Sequence, residues 1–360
     1  MFVSKMRVLL SILFWLGLAG GVQARLVVVQ TTDFGVLFLS DIHLGGAGLD
    51  IDPIITWAQT ATNDLAAVVV SGDLLANDVH SAEFISWSNS LSCPVYACLG
   101  NHESDFYAGG DMGAGVSPFS TARGILPYLR ERGYGMVQVN SVRVLLMNDL
   151  ADTTVNSLGV DINAYRDCNP PGEVPEDSDD PNPDWSGITD TTSAQCVWAA
   201  GEFTACASSW VIPVMHRSPY PAYEDNQISR CRIRSIRDGI LAKLTRAGMD
   251  LCFSGDVHVT SVTKRLYKSP QTHLVSQDNA GTHFITLHAS SSRLYEDSPV
   301  DMPGNSFLYT GVDGAVELDD SYGLLVNFYG DLAFCQLYRY DVGDAVGSVV
   351  WSGTVNREDN

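Results

Sequence analysis

The chain has 360 residues, 45% hydrophobic and 18% charged, which supplies a sizeable core and excludes a largely disordered protein. Its 42 Asp and Glu against 21 Lys and Arg leave a formal net charge of −21 at pH 7. Such a field repels polyanions and argues against a nucleic-acid polymer as partner, although cations gathered at one site reverse the sign locally.

At the N-terminus, Lys5 and Arg7 precede the uncharged run VLLSILFWLGLAGGVQA, residues 8–24, which closes on Val22 and Ala24 in a small-residue cleavage pattern. These features predict a signal peptide over residues 1–24, cut after Ala24, and an exported protein. An uncleaved anchor is the rival reading, because the run approaches spanning length. No later segment is long and apolar enough to cross a bilayer, so residues 25–360 are expected to form a single domain without a membrane span.

Next come VLFLS (36–40), a helical pattern in IDPIITWAQTATN, and the β-branched run LAAVVVSGD that ends at Asp73. SAEFISWSNSL reads as a helix with Ser81 as N-cap, and CPVYACLGNHE as a third strand ending at Gly100. Strand, helix, strand, helix, strand implies α/β architecture with a largely parallel sheet, whose ligands sit beyond the carboxyl ends of the strands.

YGMVQVNSVRVLLMND (134–149) reads as a hairpin or two strands. Residues from 150 to about 205, with NPPGEVPEDSDDPNPDWSG, are expected to be an exposed acidic insertion rich in Pro and Asp. The sheet pattern resumes in WVIPVMH (210–216), a helix is expected through ISRCRIRSIRDGILAKLTRAG, and MDLCFSGDVH (249–258) is a further strand. THFITLHAS alternates as a strand, and YGLLVNFYGDLAFCQLYRYD as a hairpin turning near Gly330 and Asp331.

All eight cysteines follow the leader, and an even count in an exported chain favours disulfides. Cys168, Cys196 and Cys206 lie in or beside the insertion, where a bridge would contribute most. Cys93, Cys98 and Cys252 lie in apolar runs and read equally well as buried thiols. The pairing is left open.

Five apolar runs end in the same kind of chemistry: SDIH (40–43), SGDL (71–74), LGNHE (99–103), VMHRSP (214–219) and SGDVH (254–258). Strand alternation would turn Asp41 and His43 to one face. Together the five ends offer Asp41, His43, Asp73, Asn101, His102, His216, Asp256 and His258. Carboxylate, imidazole and amide oxygen suit borderline ions such as Mn, Fe or Zn. About seven ligands exceed the needs of one ion and fit two, which in such sites lie about 3.5–4 Å apart and share a carboxylate.

In these motifs the chain resembles the calcineurin-like metallophosphoesterase superfamily, whose pattern runs D-x-H, G-D, G-N-H-[DE], a lone histidine after a strand, then G-H-x-H. VIPVMHRSPY and GNHE look most like its purple acid phosphatase branch. The resemblance covers roughly residues 36–290. It implies a four-layer α-β-β-α sandwich of two mixed sheets flanked by helices, with a dinuclear site at the strand ends. Carried over by position, Asp41, His43 and His258 hold the first metal, Asp73 bridges, and Asn101, His216 and Asp256 hold the second. His102 would lie just outside the ions, steadying phosphate or protonating the leaving group, with Glu103 orienting it. Arg217 is a candidate phosphate contact from its adjacency to His216.

Two departures stand out. Ala76 occupies the place of the tyrosine that purple acid phosphatases carry three residues after the bridging acid, so an Fe(III)–tyrosinate pair is not expected. Asp256 replaces the histidine usual in G-H-x-H and lowers the charge of a loaded site by one. The resulting expectation is an exported phosphatase that hydrolyses small phosphomonoesters with a metal-bound hydroxide. A phosphodiesterase acting on nucleotide or lipid-headgroup diesters, and a non-catalytic binding scaffold, are the rivals. The metals' identity, the substrate and the oligomeric state stay open. His80, His273, His283 and His288 belong to no motif and read as core or surface histidines; THFITLHASSS leaves room for His288 near the site edge, but it is not assigned there.

Overall fold

A computed structural model describes residues 34–44, 51–75, 81–100, 126–129, 134–148, 194–206, 209–220, 248–269, 272–275, 281–288, 307–310, 320–341 and 347–357. The elements in the first half are β1 (Phe34–Leu39), α1 (Asp52–Ala61), β2 (Leu65–Val70), α2 (Ser81–Ser90), β3 (Val95–Ala97), β4 (Gly135–Val139) and β5 (Val142–Leu146). There follow α3 (Ala194–Ala205), β6 (Trp210–Arg217), β7 (Leu251–Gly255), β8 (Ser261–Thr263), β9 (Leu266–Ser269), β10 (Thr272–Val275) and β11 (His283–Thr286). The chain ends in β12 (Phe307–Thr310), β13 (Asp320–Tyr329), β14 (Leu332–Asp341) and β15 (Ser348–Asn356).

The strands form a six-stranded sheet in the order β15-β14-β13-β1-β2-β3, a seven-stranded sheet in the order β12-β8-β11-β7-β6-β5-β4, and a separate β9–β10 pair. Each large sheet is mixed. In the first, β1, β2 and β3 run parallel while β13 returns antiparallel beside β1. In the second, β5, β6, β7 and β11 run parallel. The carboxyl ends of β1, β2 and β3 therefore share one edge of the first sheet, and those of β6, β7 and β11 share one edge of the second.

Period-two alternation sorts the side chains into layers. Phe38 on β1 stacks on Phe253 of β7 with ring centroids 3.9 Å apart, and Phe328 on β13 meets Trp210 of β6 edge-on at 5.6 Å. These pairs lock the two sheets face to face. The opposite face of the six-stranded sheet receives α1: Ile54, Ile55 and Ala58 are buried, and Trp57 stacks on Tyr338 of β14. Gly323 on β13 makes room there, since a Cβ would collide with Ile54.

The outer face of the seven-stranded sheet carries α3. Cys196, Ala199 and Phe203 share a buried cluster with Leu145, Met147, Val211, Met215, Cys252 and Phe284. Helix, sheet, sheet, helix is the four-layer sandwich that the strand-end motifs imply.

The region read as an acidic insertion up to about residue 205 closes in this packed helix. The spacing of Cys196, Ala199 and Phe203 is helical, but the Pro- and Asp-rich run before it hid the pattern. Gln195 ties the helix to the sheet: its Nε2 donates to the Asn148 carbonyl at 2.9 Å, and its Oε1 accepts from the Asn148 N–H at 2.8 Å. Helix α2 begins at Ser81 itself rather than after it as a cap.

Cys93, Cys206, Cys252 and Cys335 are buried thiols. Burial pushes the Cys335 thiol up to about 12 and drives that of Cys252 higher still. No described helix is long and apolar enough to cross a membrane. The leader (1–24), most of the insertion and the helix expected from 228 to 247 lie outside the described residues, as do Cys168 and Cys231.

Candidate metal centre

The site is built where the parallel strands of both sheets stop. Beyond β1, the backbone stays paired with the segment after β2: the N–H groups of Asp41, His43 and Leu44 donate to the carbonyls of Gly72, Asp73 and Leu74. Asp41 and His43 converge, but not through strand alternation, since both lie past the end of β1 in a left-handed turn. The φ angles of Asp41, His43, Asp73, Asp256 and His258 are 52°, 39°, 49°, 71° and 51°. Among the described residues, Asn140 is the one other non-glycine with positive φ. Left-handed backbone costs a non-glycine residue about 1–3 kcal/mol, and such strain gathers at functional sites.

Close packing of the strand ends demands glycine before three of the polar residues. A Cβ on Gly255 would overlap Ser40 Oγ and an oxygen of Asp41. A Cβ on Gly72, which has φ +90°, would meet the His216 ring 2.7 Å from Nδ1, and one on Gly100 would collide with Asp73. Gly100 thus brings the end of β3 against Asp73. Asn101, His102 and Glu103, which follow it, lie outside the described residues.

Two overlapping groups of donor atoms result. Asp41, His43 and His258 form one and Asp41, Asp73 and His216 the other, with the ligand atoms of each group within 4.8 Å of one another. Asp73 faces both halves: Oδ2 is 3.8 Å from His43 Nε2 and Oδ1 is 3.3 Å from His216 Nε2. Asp41 is oriented by its own neighbours. Its Oδ2 accepts from Ser40 Oγ and, at 3.2 Å, from the Asp256 N–H, while Oδ1 turns to within 3.5 Å of His258 Nε2. Asp256 brings Oδ1 to 3.5 Å from His216 Nε2 and is the more solvent-facing carboxylate, with its side chain 29% exposed.

His216 is fully buried, and its Nδ1 lies 2.8 Å from the Ser71 carbonyl. A carbonyl only accepts, so Nδ1 carries the hydrogen and Nε2 faces the carboxylates.

The electrostatics show what this cluster demands. Burial pulls the His216 imidazole down. The charge of Asp73, the hydrogen bonds to Asp256 and Asp73, and the charge of Asp41 outweigh it and hold the imidazole well above its ordinary value. Burial raises Asp41 as well, but its hydrogen bond with His258 and the charges of His216, His258 and His43 bring it far below the usual carboxylate range. Asp256, raised by burial, is brought down to about 2 by its hydrogen bond with His216 and the charges of His216 and Arg217. Three carboxylates crowding a buried imidazole call for positive charge. Mixed O and N donors in two groups are the chemistry that a pair of divalent or trivalent cations would meet.

Arg217, proposed from sequence as a phosphate contact, is buried at the end of β6 opposite Gly255 of β7, and its charge acts on Asp256. His288, which belongs to no motif, comes to the site. It follows β11, is buried, and stacks on His258 with ring centroids 5.3 Å apart. THFITLHAS is an apolar run ending in a histidine, as four of the five motif-bearing runs deliver one, and this shared pattern is the signal that marks it.

A family model for calcineurin-like phosphoesterases matches residues 34–260. No curated protein matches the sequence. Among solved structures, purple acid phosphatase PPD1 from yellow lupin (Lupinus luteus) seeds is similar with a TM-score of 0.63 at 14% identity. That match covers 91% of this chain and 55% of the lupin chain, so this chain spans about half of its length.

Vacuolar Protein Sorting 29 from Cryptosporidium parvum matches with a TM-score of 0.34 at 13% identity, over 91% of this chain and 100% of its own. The phosphopantetheinyl hydrolase PptH from Mycobacterium tuberculosis matches at 0.35 and 13%, over 72% and 91%. With the family model spanning more than half of the sequence, the chain belongs to the calcineurin-like phosphoesterase family.

Proposed function

We propose that the protein is an exported, metal-dependent phosphatase that hydrolyses small phosphomonoesters at a dinuclear site. The observation that carries this reading is the pair of overlapping donor groups joined through Asp41 and faced on both sides by Asp73. The export part rests on Lys5, Arg7 and the apolar run 8–24 alone. Asp41, His43 and His258 would hold one ion. Asn101, His216 and Asp256 would hold the other, and Asp73 would be shared. Two such ions, when bound, supply Lewis-acid stabilisation of a phosphoryl group and acidify water.

The chain's own part is positioning. The Ser71 carbonyl accepts from His216 Nδ1 and so turns Nε2 into the site. Ser40 and the Asp256 N–H hold one oxygen of Asp41 and so aim the other. These contacts fix the donors before any ion arrives, which reduces the reorganisation that binding costs. His102 is assigned to the leaving-group oxygen as proton donor, with Glu103 orienting its ring. Arg217 is assigned to the phosphate side of Asp256.

One observation favours a second reading. The carboxylate of Asp256 beside His216 lowers the positive charge of a loaded site, which weakens attraction for a dianionic monoester more than for a monoanionic diester. Hydrolysis of an aryl phosphate and a bis-aryl phosphate by protein loaded in turn with Mn²⁺, Zn²⁺ and Fe, from acid to alkaline pH, separates the two. A preference for the aryl phosphate is the expected result. A preference for the diester transfers the assignment to a phosphodiesterase. Purified protein that takes up no ion and hydrolyses neither ester overturns both in favour of a binding scaffold.

A further inference from the structure

We propose that His288 is a positioning residue for the first metal position, holding the His258 imidazole in place by stacking against its face. The proposal rests on the metal reading of the site. The two rings lie 5.3 Å apart at an interplanar angle of 27°, and the His43 ring meets His258 edge-on at 5.9 Å and 81°. His258 is thus held by a second candidate ligand and by a ring outside both donor groups. Offset and edge-to-face contacts of this kind are the arrangements that aromatic rings prefer.

His288 is itself anchored from both sheets. Its N–H donates to Thr260 Oγ1 at 3.1 Å, and its carbonyl accepts from the Tyr322 N–H at 2.9 Å. Thr260 lies two residues after His258, and Tyr322 is on β13 of the opposite sheet. The neighbouring Leu287 N–H continues the β11–β7 ladder by donating to the Ser254 carbonyl at 2.8 Å. A ring on so rigid a support fixes its neighbour's rotamer. His258 needs that support because its backbone, at φ 51°, lies in a turn beyond β7 rather than in the strand. A ligand free to rotate away loses affinity for its ion, and changing a residue that orients a ligand costs about 10–100-fold in metal affinity.

The test compares the full chain with His288→Leu and His288→Phe. Leu keeps apolar bulk without a π-face, and Phe keeps the ring without nitrogen. Zn²⁺ and Co²⁺ affinities are titrated against a chromophoric chelator, the visible bands of the Co²⁺ forms are recorded, and thermal unfolding is followed without metal. The expected result is about a tenfold loss of affinity for one of two ions and altered Co²⁺ bands in His288→Leu. His288→Phe should recover both properties, and the metal-free midpoint of His288→Phe should match the parent's. Leu and Phe variants that both bind like the parent, or that both lose affinity alike, overturn the proposal. A parent chain that takes up no ion overturns the metal reading itself, which separates that failure from a failure of the stacking role.

Discussion

The carboxylate of Asp256 stands 3.5 Å from Nε2 of His216, so an acid faces the second donor group where the family motif carries a histidine. An oxygen donor in place of nitrogen hardens that position and favours Mn²⁺ or Fe over Zn²⁺. Asp256→His should raise the Zn²⁺ to Mn²⁺ selectivity of the position shared by His216 and Asp256 by about tenfold or more. Metal content by mass spectrometry after loading in equimolar mixtures measures it. Equal uptake ratios in variant and parent would remove Asp256 from the coordination assignment.

Gly255 sets the approach of the two sheets at the site. Adding a Cβ there pushes on Ser40 and Asp41, neither of which has space to withdraw. Gly255→Ala should therefore destabilise by about 1–3 kcal/mol and reduce metal uptake as Asp41 is displaced. Urea unfolding and ion stoichiometry on one preparation check both parts. An alanine variant that retains parent stability and uptake contradicts the close approach.

Beneath the site, Phe38 and Phe253 stack in strands β1 and β7, which deliver Asp41 and Asp256. Both are fully buried. Phe253→Ala should cost about 3–5 kcal/mol in denaturant unfolding. Metal affinity should fall with it, because the cavity lies under the junction that holds both halves of the centre. Loss of stability with metal affinity unchanged would show that the strand ends are braced independently of this pair.

His283 offers a pH-dependent prediction away from the centre. Burial holds its imidazole below the ordinary value, with the charge of Arg265 adding to the effect, against the opposing hydrogen bond of Nδ1 to the Thr263 carbonyl. A histidine with a lowered folded-state pKa binds fewer protons folded than unfolded. Its contribution to stability is therefore intact above the unfolded value of about 6.5 and declines as pH falls below it. Relative to the parent, His283→Gln should lose less stability between neutral and mildly acidic pH. The difference between the two unfolding curves isolates this residue from the site histidines. Parallel pH profiles would sink the prediction.

Much of the centre was legible because its chemistry is written in local runs. Asp41, His43, Asp73, His216 and His258 each follow an apolar stretch, and strands end where buried polar groups must find partners. The parallel order of β1, β2 and β3 was readable from alternating strand and helix patterns. Helix α3 was hidden by its neighbourhood: three apolar residues at helical spacing carry little weight beside a long Pro- and Asp-rich run. Strands β12 and β15 were not anticipated. Their partly exposed faces leave a weak alternation, and the partner of β12 is β8, far back along the chain.

The sequence alone determined which atoms are available: carboxylate and imidazole donors at five strand ends, glycines beside them, and the acid at position 256. Tertiary structure decided which of them meet. The left-handed turns at Asp41, His43, Asp73, Asp256 and His258, the two-sided placement of Asp73 and the stacking of His288 on His258 arise only when two sheets pack face to face. Steric limits on φ and inter-sheet distance are set by residues far apart in the chain, so no local pattern encodes them.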